Sequence, residues 1–327
     1  MAKYDYGKHF GEVKTTHDLM TLPDERTWRL TSPERDAAPH DIVLYLGCNV
    51  LRTAHMVQTV TAVFDLLGLD YVTVGGPTYC CGIVHHRQGD VEAGGGMAAR
   101  TVQLFQRFQP KEVVMWCPSC IHFYDDVKQM TLPFRVRHTT EFLVDQLPKL
   151  RFTQEVRQRV ALHSHCLSEA RQREGQAGRQ LLTAVPGLTL VDMEPRLVFD
   201  RSCTGAVQAA LGAAGWEALV LEEIDRARAL GAETLATIYH GCQRAMCGFE
   251  RKRPITIEHY LSVFARGLGI EFEDKYKRYL LSGNVDEILA DMTPCQQANG
   301  VSDERARELV TLTFAPKPAP ADPATAS

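Results

Sequence analysis

Residues 41–48 read Asp-Ile-Val-Leu-Tyr-Leu-Gly-Cys, an apolar run that ends in glycine and cysteine. Such a run is typical of a strand that is buried on both faces of a parallel sheet. A helical period follows over 53–67, a second strand-like run begins at Tyr71, and a helical stretch over 96–108 precedes the apolar run 111–117. This alternation predicts an α/β fold, in which functional sites lie at the carboxyl ends of parallel strands.

The second half of the chain repeats this plan. Strand-like runs end at Cys166 and Cys242, as the earlier runs end at Cys48 and Cys117. Equivalent cysteines are 118 residues apart at positions 48 and 166, 123 apart at 80 and 203, and 125 apart at 117 and 242. Such close agreement indicates a duplicated unit. We therefore predict two pseudo-repeated, Rossmann-like units that face each other around the cysteine-bearing ends of their strands.

Composition shifts divide the chain into five segments. These are a polar N-terminal arm, predicted to be extended or partner-binding (1–40), the first unit (41–155), the second unit (156–270), a C-terminal helical segment (271–312) and a Pro/Ala-rich tail predicted to be disordered (313–327). Within the second unit, 256–268 predicts an amphipathic helix. Within the first, Gly94–Gly96 lacks the further residues of a phosphate-binding loop and predicts a flexible turn.

Charge and hydropathy exclude several classes of function. The 36 basic and 40 acidic residues give a net charge of −4 without a basic cluster, which disfavours a nucleic-acid groove or an anionic membrane surface. No apolar run approaches the ~20 residues that span a bilayer, and the N-terminus has no apolar signal region. We expect a cytoplasmic protein, in which ten cysteines favour metal binding or redox chemistry over disulfides.

Five cysteines form the first motif: Cys48, Cys80, Cys81, Cys117 and Cys120. A thioredoxin-like Cys-x-x-Cys pair would leave three of them without a role. A tetrahedral zinc site would use four thiolates, and two adjacent cysteines have difficulty reaching one ion. An iron–sulfur cluster suits soft thiolates and lets adjacent cysteines bind different irons. Buried cysteines without a shared role are the remaining alternative.

The order and spacing Cys48-x31-Cys80-Cys81-Gly82-x34-Cys117-x2-Cys120 resemble the CCG cysteine-rich domain. This domain occurs in the B subunit of heterodisulfide reductase and in components of glycolate, lactate, anaerobic glycerol-3-phosphate and some succinate-oxidising enzymes. The resemblance covers roughly residues 41–270 and implies a noncubane [4Fe-4S] cluster held by the five cysteines of the first motif. In the heterodisulfide reductase protein such clusters cleave a disulfide by successive one-electron steps.

The second motif departs from this pattern. Cys166 matches the lone cysteine, Cys203-Thr-Gly replaces Cys-Cys-Gly, and four residues separate Cys242 from Cys247. Two alternatives stay open for this degenerate unit: an altered second iron–sulfur cluster held by these four cysteines, or no cluster. The histidines beside them are either hydrogen-bond donors to the thiolates or ordinary structural histidines, and we favour the latter for each of His163, His165 and His240.

The resemblance implies an oxidoreductase subunit that transfers electrons through the first-motif cluster to or from a thiol, a disulfide or another sulfur-containing substrate. The chain has neither a ferredoxin-type cysteine run nor a flavin or nicotinamide fingerprint. Electrons must therefore pass through partners. For these the family implies a ferredoxin-like protein and a flavoprotein, the C and A components of a heterodisulfide-reductase-like complex.

The excess of arginine over lysine, 26 to 10, hints at a GC-rich bacterial source. Such a source makes the heterodisulfide-reductase-like complexes of sulfur-oxidising bacteria a sensible variant. Two other classes of protein are carried as alternatives. One is the iron–sulfur subunit of a 2-hydroxy-acid (glycolate or lactate) or succinate dehydrogenase complex. The other is a non-catalytic structural protein stabilised by zinc.

Overall fold

A computed structural model describes residues 4–316 and contains eight strands in two sheets. The first four strands are β1 (Ile42–Tyr45), β2 (Tyr71–Val74), β3 (Glu112–Met115) and β4 (Arg135–His138). The second four are β5 (Arg159–His163), β6 (Thr189–Leu190), β7 (Thr234–Thr237) and β8 (Thr256–His259). The sheet orders are β2-β1-β3-β4 and β6-β5-β7-β8, and all neighbours are parallel.

Helices connect the strands and cover the sheets. Those up to the start of β5 are α1 (Tyr6–Asp18), α2 (Ala54–Leu66), α3 (Ile83–Arg87), α4 (Val91–Gln106), α5 (Pro118–His122) and α6 (Thr139–Gln146). The others are α7 (Glu169–Thr183), α8 (Gly205–Ala229), α9 (His240–Met246), α10 (Tyr260–Gly267), α11 (Lys275–Ser282), α12 (Val285–Ala298) and α13 (Asp303–Phe314). Within residues 4–316, none of these helices has both the length and the apolar character needed to cross a bilayer.

The identical strand orders confirm the predicted α/β fold and its pseudo-repeat. In the first sheet, Tyr45 pairs with Val74 and Met115, and Met115 pairs with His138, so all four strands end in line at one edge. Three residues of β1 are fully buried because both faces of the strand are covered. The segments that carry the cysteines leave the strands at this edge and therefore meet there.

The predicted helix over 256–268 is wrong in its first four residues. Thr256–His259 is β8, which pairs with β7, and α10 begins only at Tyr260. The neighbouring strand supplies hydrogen bonds that a helical period cannot reveal, and Ile257 is fully buried in the sheet. Sequence analysis also misses the equivalent edge strand β4, since its two arginines hide any apolar run.

The predicted flexible turn at Gly94–Gly96 is also wrong, because these residues lie inside α4. A Cβ atom on Gly94 would lie only 2.9 Å from the carbonyl oxygen of Gly82. Gly94 thus lets α4 approach the Cys-Cys-Gly turn closely, and packing stabilises a helix that glycine would otherwise weaken.

Part of the N-terminal arm is helical rather than extended. Asp5 caps helix α1 by accepting a hydrogen bond from the backbone of Lys8 at 2.8 Å, and Val13 and His17 are fully buried. At the other end, α13 includes residues 313 and 314 of the predicted tail, and Phe314 is buried. Residues 317–327 of that tail lie outside the described residues, as do 1–3. The five segment boundaries stay a prediction.

Candidate metal centres

The structure brings all five cysteines of the first motif together. Cys48 follows β1, Cys80 and Cys81 follow β2, and Cys117 and Cys120 flank the start of α5 after β3. Their free thiols form a chain of hydrogen bonds, which runs from Cys48 through Cys80, Cys81 and Cys120 to Cys117. Parallel strands that end at one edge thus gather residues more than 70 positions apart.

A glycine makes room for this convergence. Gly47 precedes the first cysteine and has a φ of +75°, which side-chain-bearing residues rarely adopt. A Cβ atom at this position would lie 3.2 Å from Cβ of Cys117 and 3.3 Å from Sγ of Cys120. The apolar run that ends in Gly-Cys therefore combines a buried strand with a turn that admits thiols from the next strand.

The crowding of the thiols shifts their pKa values in opposite directions. Hydrogen bonds from Cys48 and Cys81 lower the pKa of Cys80 to about 3, and a hydrogen bond from Cys120 lowers the pKa of Cys117 to about 7. The same contacts, together with burial, raise the pKa values of Cys48 and Cys120. Without a cation the five thiols cannot all be thiolates.

This donor set fits an iron–sulfur cluster. It consists of sulfur alone, the ligand type that iron–sulfur clusters use. Three of its members, Cys80, Cys81 and Cys120, are at most 3% exposed, so water has little access to them. Iron would supply the positive charge that lets every thiol ionise.

The second motif assembles a different set of side chains. Sγ of Cys203 lies 2.7 Å from Sγ of Cys242, and Nε2 of His165 lies 3.3 Å and 3.5 Å from these two sulfurs. His163 completes the group, and the four ligand atoms all lie within 4.8 Å of one another. Sequence analysis favours ordinary structural roles for both histidines, whereas the structure places them beside the thiols.

Cys166 and Cys247 do not belong to this group. Cys166 lies beside Asp200, whose carboxylate accepts a hydrogen bond from the Cys166 backbone at 2.6 Å. Sγ of Cys247 is a donor to the carbonyl oxygen of Arg244 at 3.8 Å. The structure therefore brings together two of the four second-motif cysteines.

The buried histidines near this motif differ in electrostatics. Burial alone would disfavour a charge on His163, but the Glu223 carboxylate, whose oxygen lies 2.7 Å from Nδ1, raises its pKa well above the usual value. No such carboxylate among the described residues contacts His240, and burial lowers its pKa to about 3. His240 is therefore neutral at physiological pH.

A cavity of about 890 Å³ separates the two motifs. Both motifs contribute to its wall, through Cys48, Cys81, Cys117, Cys120, His165, Cys203 and Cys242. The prediction that the two units face each other across their cysteines is thus confirmed, and a substrate in this cavity could contact either motif.

The cavity is cationic. Arg87, Arg244 and Arg251 line it, and the described residues of its wall include no aspartate or glutamate. Arg244 also donates a hydrogen bond to Asn49 at 2.9 Å, which links α9 to the turn after Cys48. Sequence analysis missed Arg244 and Arg251, because no local pattern marks residues that only the fold brings to the cavity.

Comparison with known proteins agrees with this geometry. The cysteine-rich domain family CCG matches residues 42–123 and 160–246, just over half of the chain. The matched segments contain the whole first motif and the Cys166, Cys203 and Cys242 positions of the second.

Curated relatives include the D subunit of dihydromethanophenazine:CoB–CoM heterodisulfide reductase from two archaea. The protein from Methanosarcina barkeri is 25% identical over 247 residues, which cover 70% of this chain and 59% of the relative. The protein from Methanosarcina mazei is 27% identical over 250 residues, which cover 71% of this chain and 60% of the relative. The chain thus spans about 60% of the length of these relatives.

Proposed function

This chain belongs to the cysteine-rich (CCG) domain family, and we propose that it is the iron–sulfur subunit of a multisubunit oxidoreductase that acts on a sulfur-containing substrate. One observation carries the proposal: five thiols from three strand ends converge on a cavity between two repeated units. The similarity to heterodisulfide reductase proteins supports the same class of reaction.

The cofactor in this proposal is a noncubane [4Fe-4S] cluster. Cys48, Cys80, Cys81, Cys117 and Cys120 would hold it. When bound, it would supply or accept single electrons at the cavity wall. The side chain of Tyr45 shields the cysteines from water on one side. It is fully buried, and its hydroxyl oxygen lies 3.7 Å from Sγ of Cys120.

The substrate class in this proposal is an anionic thiol or disulfide. Reduction of a disulfide consumes two electrons and two protons, breaks the S–S bond and releases two thiols. Arg87, Arg244 and Arg251 would hold the anionic groups of such a substrate by charge-assisted hydrogen bonds. His9, which also lines the cavity, is within reach to exchange the protons.

The proposal includes partner proteins in a reducing compartment, the cytoplasm. An iron–sulfur cluster does not itself exchange hydride with a nicotinamide, so a ferredoxin-like partner and a flavoprotein partner would pass electrons to or from it. Ten free cysteines are compatible with a reducing compartment. The heterodisulfide-reductase-like complexes of sulfur-oxidising bacteria are the variant of such an assembly included in this proposal.

The test is a stoichiometric reoxidation of protein purified without oxygen and reduced with dithionite. We expect addition of dithiodiglycolate, an anionic disulfide, to restore the oxidised visible absorption and to release thioglycolate. Cys81→Ala removes one of the five thiols and should abolish the response, whereas Cys247→Ala, outside the motif, should keep it. A reduced protein that the disulfide does not reoxidise, or an equal response in Cys81→Ala, would refute the proposal.

A further inference from the structure

We propose that the second motif is a mononuclear site for a divalent metal ion of the zinc class, with Cys203, Cys242, His163 and His165 as its ligands. Two thiols and two imidazoles are a ligand set that tetrahedral zinc takes in proteins. The site is distinct from the five-cysteine motif across the cavity. It also replaces the four-cysteine set that the sequence suggests for this unit.

The distances fit one ion. Zinc–sulfur and zinc–nitrogen bonds of about 2.3 Å and 2.0 Å place tetrahedral ligand atoms roughly 3.3–3.8 Å apart. Nε2 of His165 lies 3.3 Å and 3.5 Å from the sulfurs of Cys203 and Cys242, within that range. The two sulfurs are 2.7 Å apart and would separate by about 1 Å on binding.

The same distances disfavour a cluster with more than one iron. In a Rieske-type centre, two cysteines and two histidines bind different irons and therefore lie at opposite ends of the cluster. Here Nε2 of His165 lies 3.3 Å and 3.5 Å from the two sulfurs, which is the spacing of neighbouring ligands on one ion. An altered cubane cluster would need further thiolates, and Cys166 and Cys247 lie outside the group and bond to Asp200 and Arg244 instead.

Hydrogen bonds already orient the buried ligand His163. Its Nδ1 bonds to Oε1 of Glu223 at 2.7 Å, and the hydroxyl of Ser202 donates to Oε2 of the same carboxylate at 3.0 Å. The other ring nitrogen, Nε2, faces the thiol of Cys203, and the side chain of His163 is only 1% exposed. It is close enough to the other three ligand atoms to bind the same ion.

This arrangement matches the carboxylate–histidine–metal triad of zinc proteins. The carboxylate fixes the ring so that its other nitrogen points at the ion and makes that nitrogen a better ligand. A metal ion would replace the contact between this nitrogen and the Cys203 thiol by bonds from both to one ion. The carboxylate, the buried ring nitrogen and the two facing sulfurs therefore point to the same ligand.

The ion would have a structural role. The two histidines lie at the end of β5, Cys203 precedes α8, and Cys242 lies in the first turn of α9, so one ion would connect three segments of the second unit. Four protein ligands leave no open position for a substrate, which is typical of structural zinc. The ion would thereby hold one wall of the cavity in place.

The test is the metal content of the full chain, purified without oxygen and dialysed against a weak chelator. We expect about one zinc per chain in the wild type and none in Cys203→Ser or His165→Ala. The matched controls, Cys166→Ser and Cys247→Ser, should keep the zinc. Zinc lost from either control, or zinc lost from Cys81→Ala while Cys203→Ser retains it, would overturn the assignment.

Cobalt gives a second readout that does not depend on variants that fold poorly. We expect Co²⁺ added to the zinc-depleted wild-type chain to give intense tetrahedral d–d bands and thiolate-to-cobalt charge-transfer bands. In His165→Cys the charge-transfer absorption should grow while the d–d bands remain. Octahedral bands in the wild type, or loss of iron and sulfide rather than zinc in Cys203→Ser, would contradict a mononuclear site.

Discussion

Gly82 lies against Gly94 so closely that a Cβ atom on Gly82 would collide with the carbonyl group of Gly94. The contact joins the Cys-Cys-Gly turn of the first motif to helix α4. Gly82 also has a φ of +91°, so both its conformation and its surroundings require glycine. The glycine that follows the adjacent cysteines is therefore part of the architecture that brings their thiols together.

Gly82→Ala should destabilise the protein and reduce its iron content, because the new methyl group must push α4 away from the cysteine turn. Gly89→Ala is a matched control, since Gly89 has a φ of +89° and no atom within 4 Å of the added Cβ. We expect a loss of about 1–2 kcal/mol in the control from backbone strain alone. Overpacking should add roughly 1–3 kcal/mol in Gly82→Ala.

Thermal unfolding followed by circular dichroism, together with iron analysis, measures both effects. Equal losses in the two variants would show that the contact with Gly94 is unimportant.

The sequence predicted strands β1, β2 and β3 better than β4 and β8, the last strand of each sheet. Residues 42–46 are all apolar because β1 is covered on both faces. Such a continuous apolar run can be recognised as a strand without knowledge of the fold. The edge strands β4 and β8 alternate charged and apolar residues, and β8 continues directly into a helix. What identifies them is pairing with a strand about twenty residues away in the sequence, which no local pattern contains.

His17 makes the stability of the protein depend on pH. Its Nε2 accepts a hydrogen bond from Trp28 at 3.2 Å, and its Nδ1 lies 3.3 Å from the carbonyl oxygen of Leu51. Burial lowers its pKa to about 4, so the folded state resists protonation. The unfolded chain binds a proton near pH 6.5, and stability must therefore fall as the pH drops from 6.5 to about 4, by up to about 3 kcal/mol.

His17→Gln can keep both hydrogen bonds and cannot be protonated, so it should reduce the slope of stability against pH in this range. Other buried histidines with lowered pKa values, such as His240, keep the remaining slope. Unfolding midpoints in denaturant between pH 7 and pH 4 provide the measurement. A slope in His17→Gln equal to that of the wild type would remove His17 as a cause of the pH dependence.

Arg87 should contribute to binding of anionic disulfides. Loss of one charge-assisted hydrogen bond costs about 1.5 kcal/mol of binding free energy. This corresponds to a roughly ten-fold lower second-order rate constant for reoxidation by dithiodiglycolate. Arg87→Gln should show this loss and leave the reaction with neutral bis(2-hydroxyethyl) disulfide unchanged. Arg100→Gln, which removes an exposed arginine outside the cavity wall, is the control. Equal losses with both disulfides would exclude charge recognition by Arg87.

Glu223 should tune zinc affinity without binding the ion. Its carboxylate contacts the far nitrogen of His163, and loss of such a partner costs about 10–100-fold in metal affinity. We expect Glu223→Gln to weaken zinc binding by this factor in a competition titration with a chromophoric chelator. Its exposed neighbour gives the control, Glu222→Gln. An unchanged affinity in Glu223→Gln would remove Glu223 from the site.

The two metal centres were predictable to different degrees. Spacing alone suggested that the five first-motif cysteines act together, because adjacent cysteines and a Cys-x-x-Cys pair follow successive strands. The sequence feature that belongs to the second centre is His163-Ser-His165 at a strand end. This short pattern is too common to predict a metal site by itself. Glu223 and Cys242 lie far along the chain from it, and only the folded sheet brings them to these histidines.

The central claim is that the first motif holds an iron–sulfur cluster through all five cysteines. The most direct measurement is iron, acid-labile sulfide and zinc per chain, on wild type, Cys81→Ala and Cys247→Ala purified without oxygen. We predict about four irons with matching sulfide in the wild type and in Cys247→Ala, and a loss of both in Cys81→Ala. Zinc without sulfide in the wild type, or full iron and sulfide in Cys81→Ala, would contradict the account.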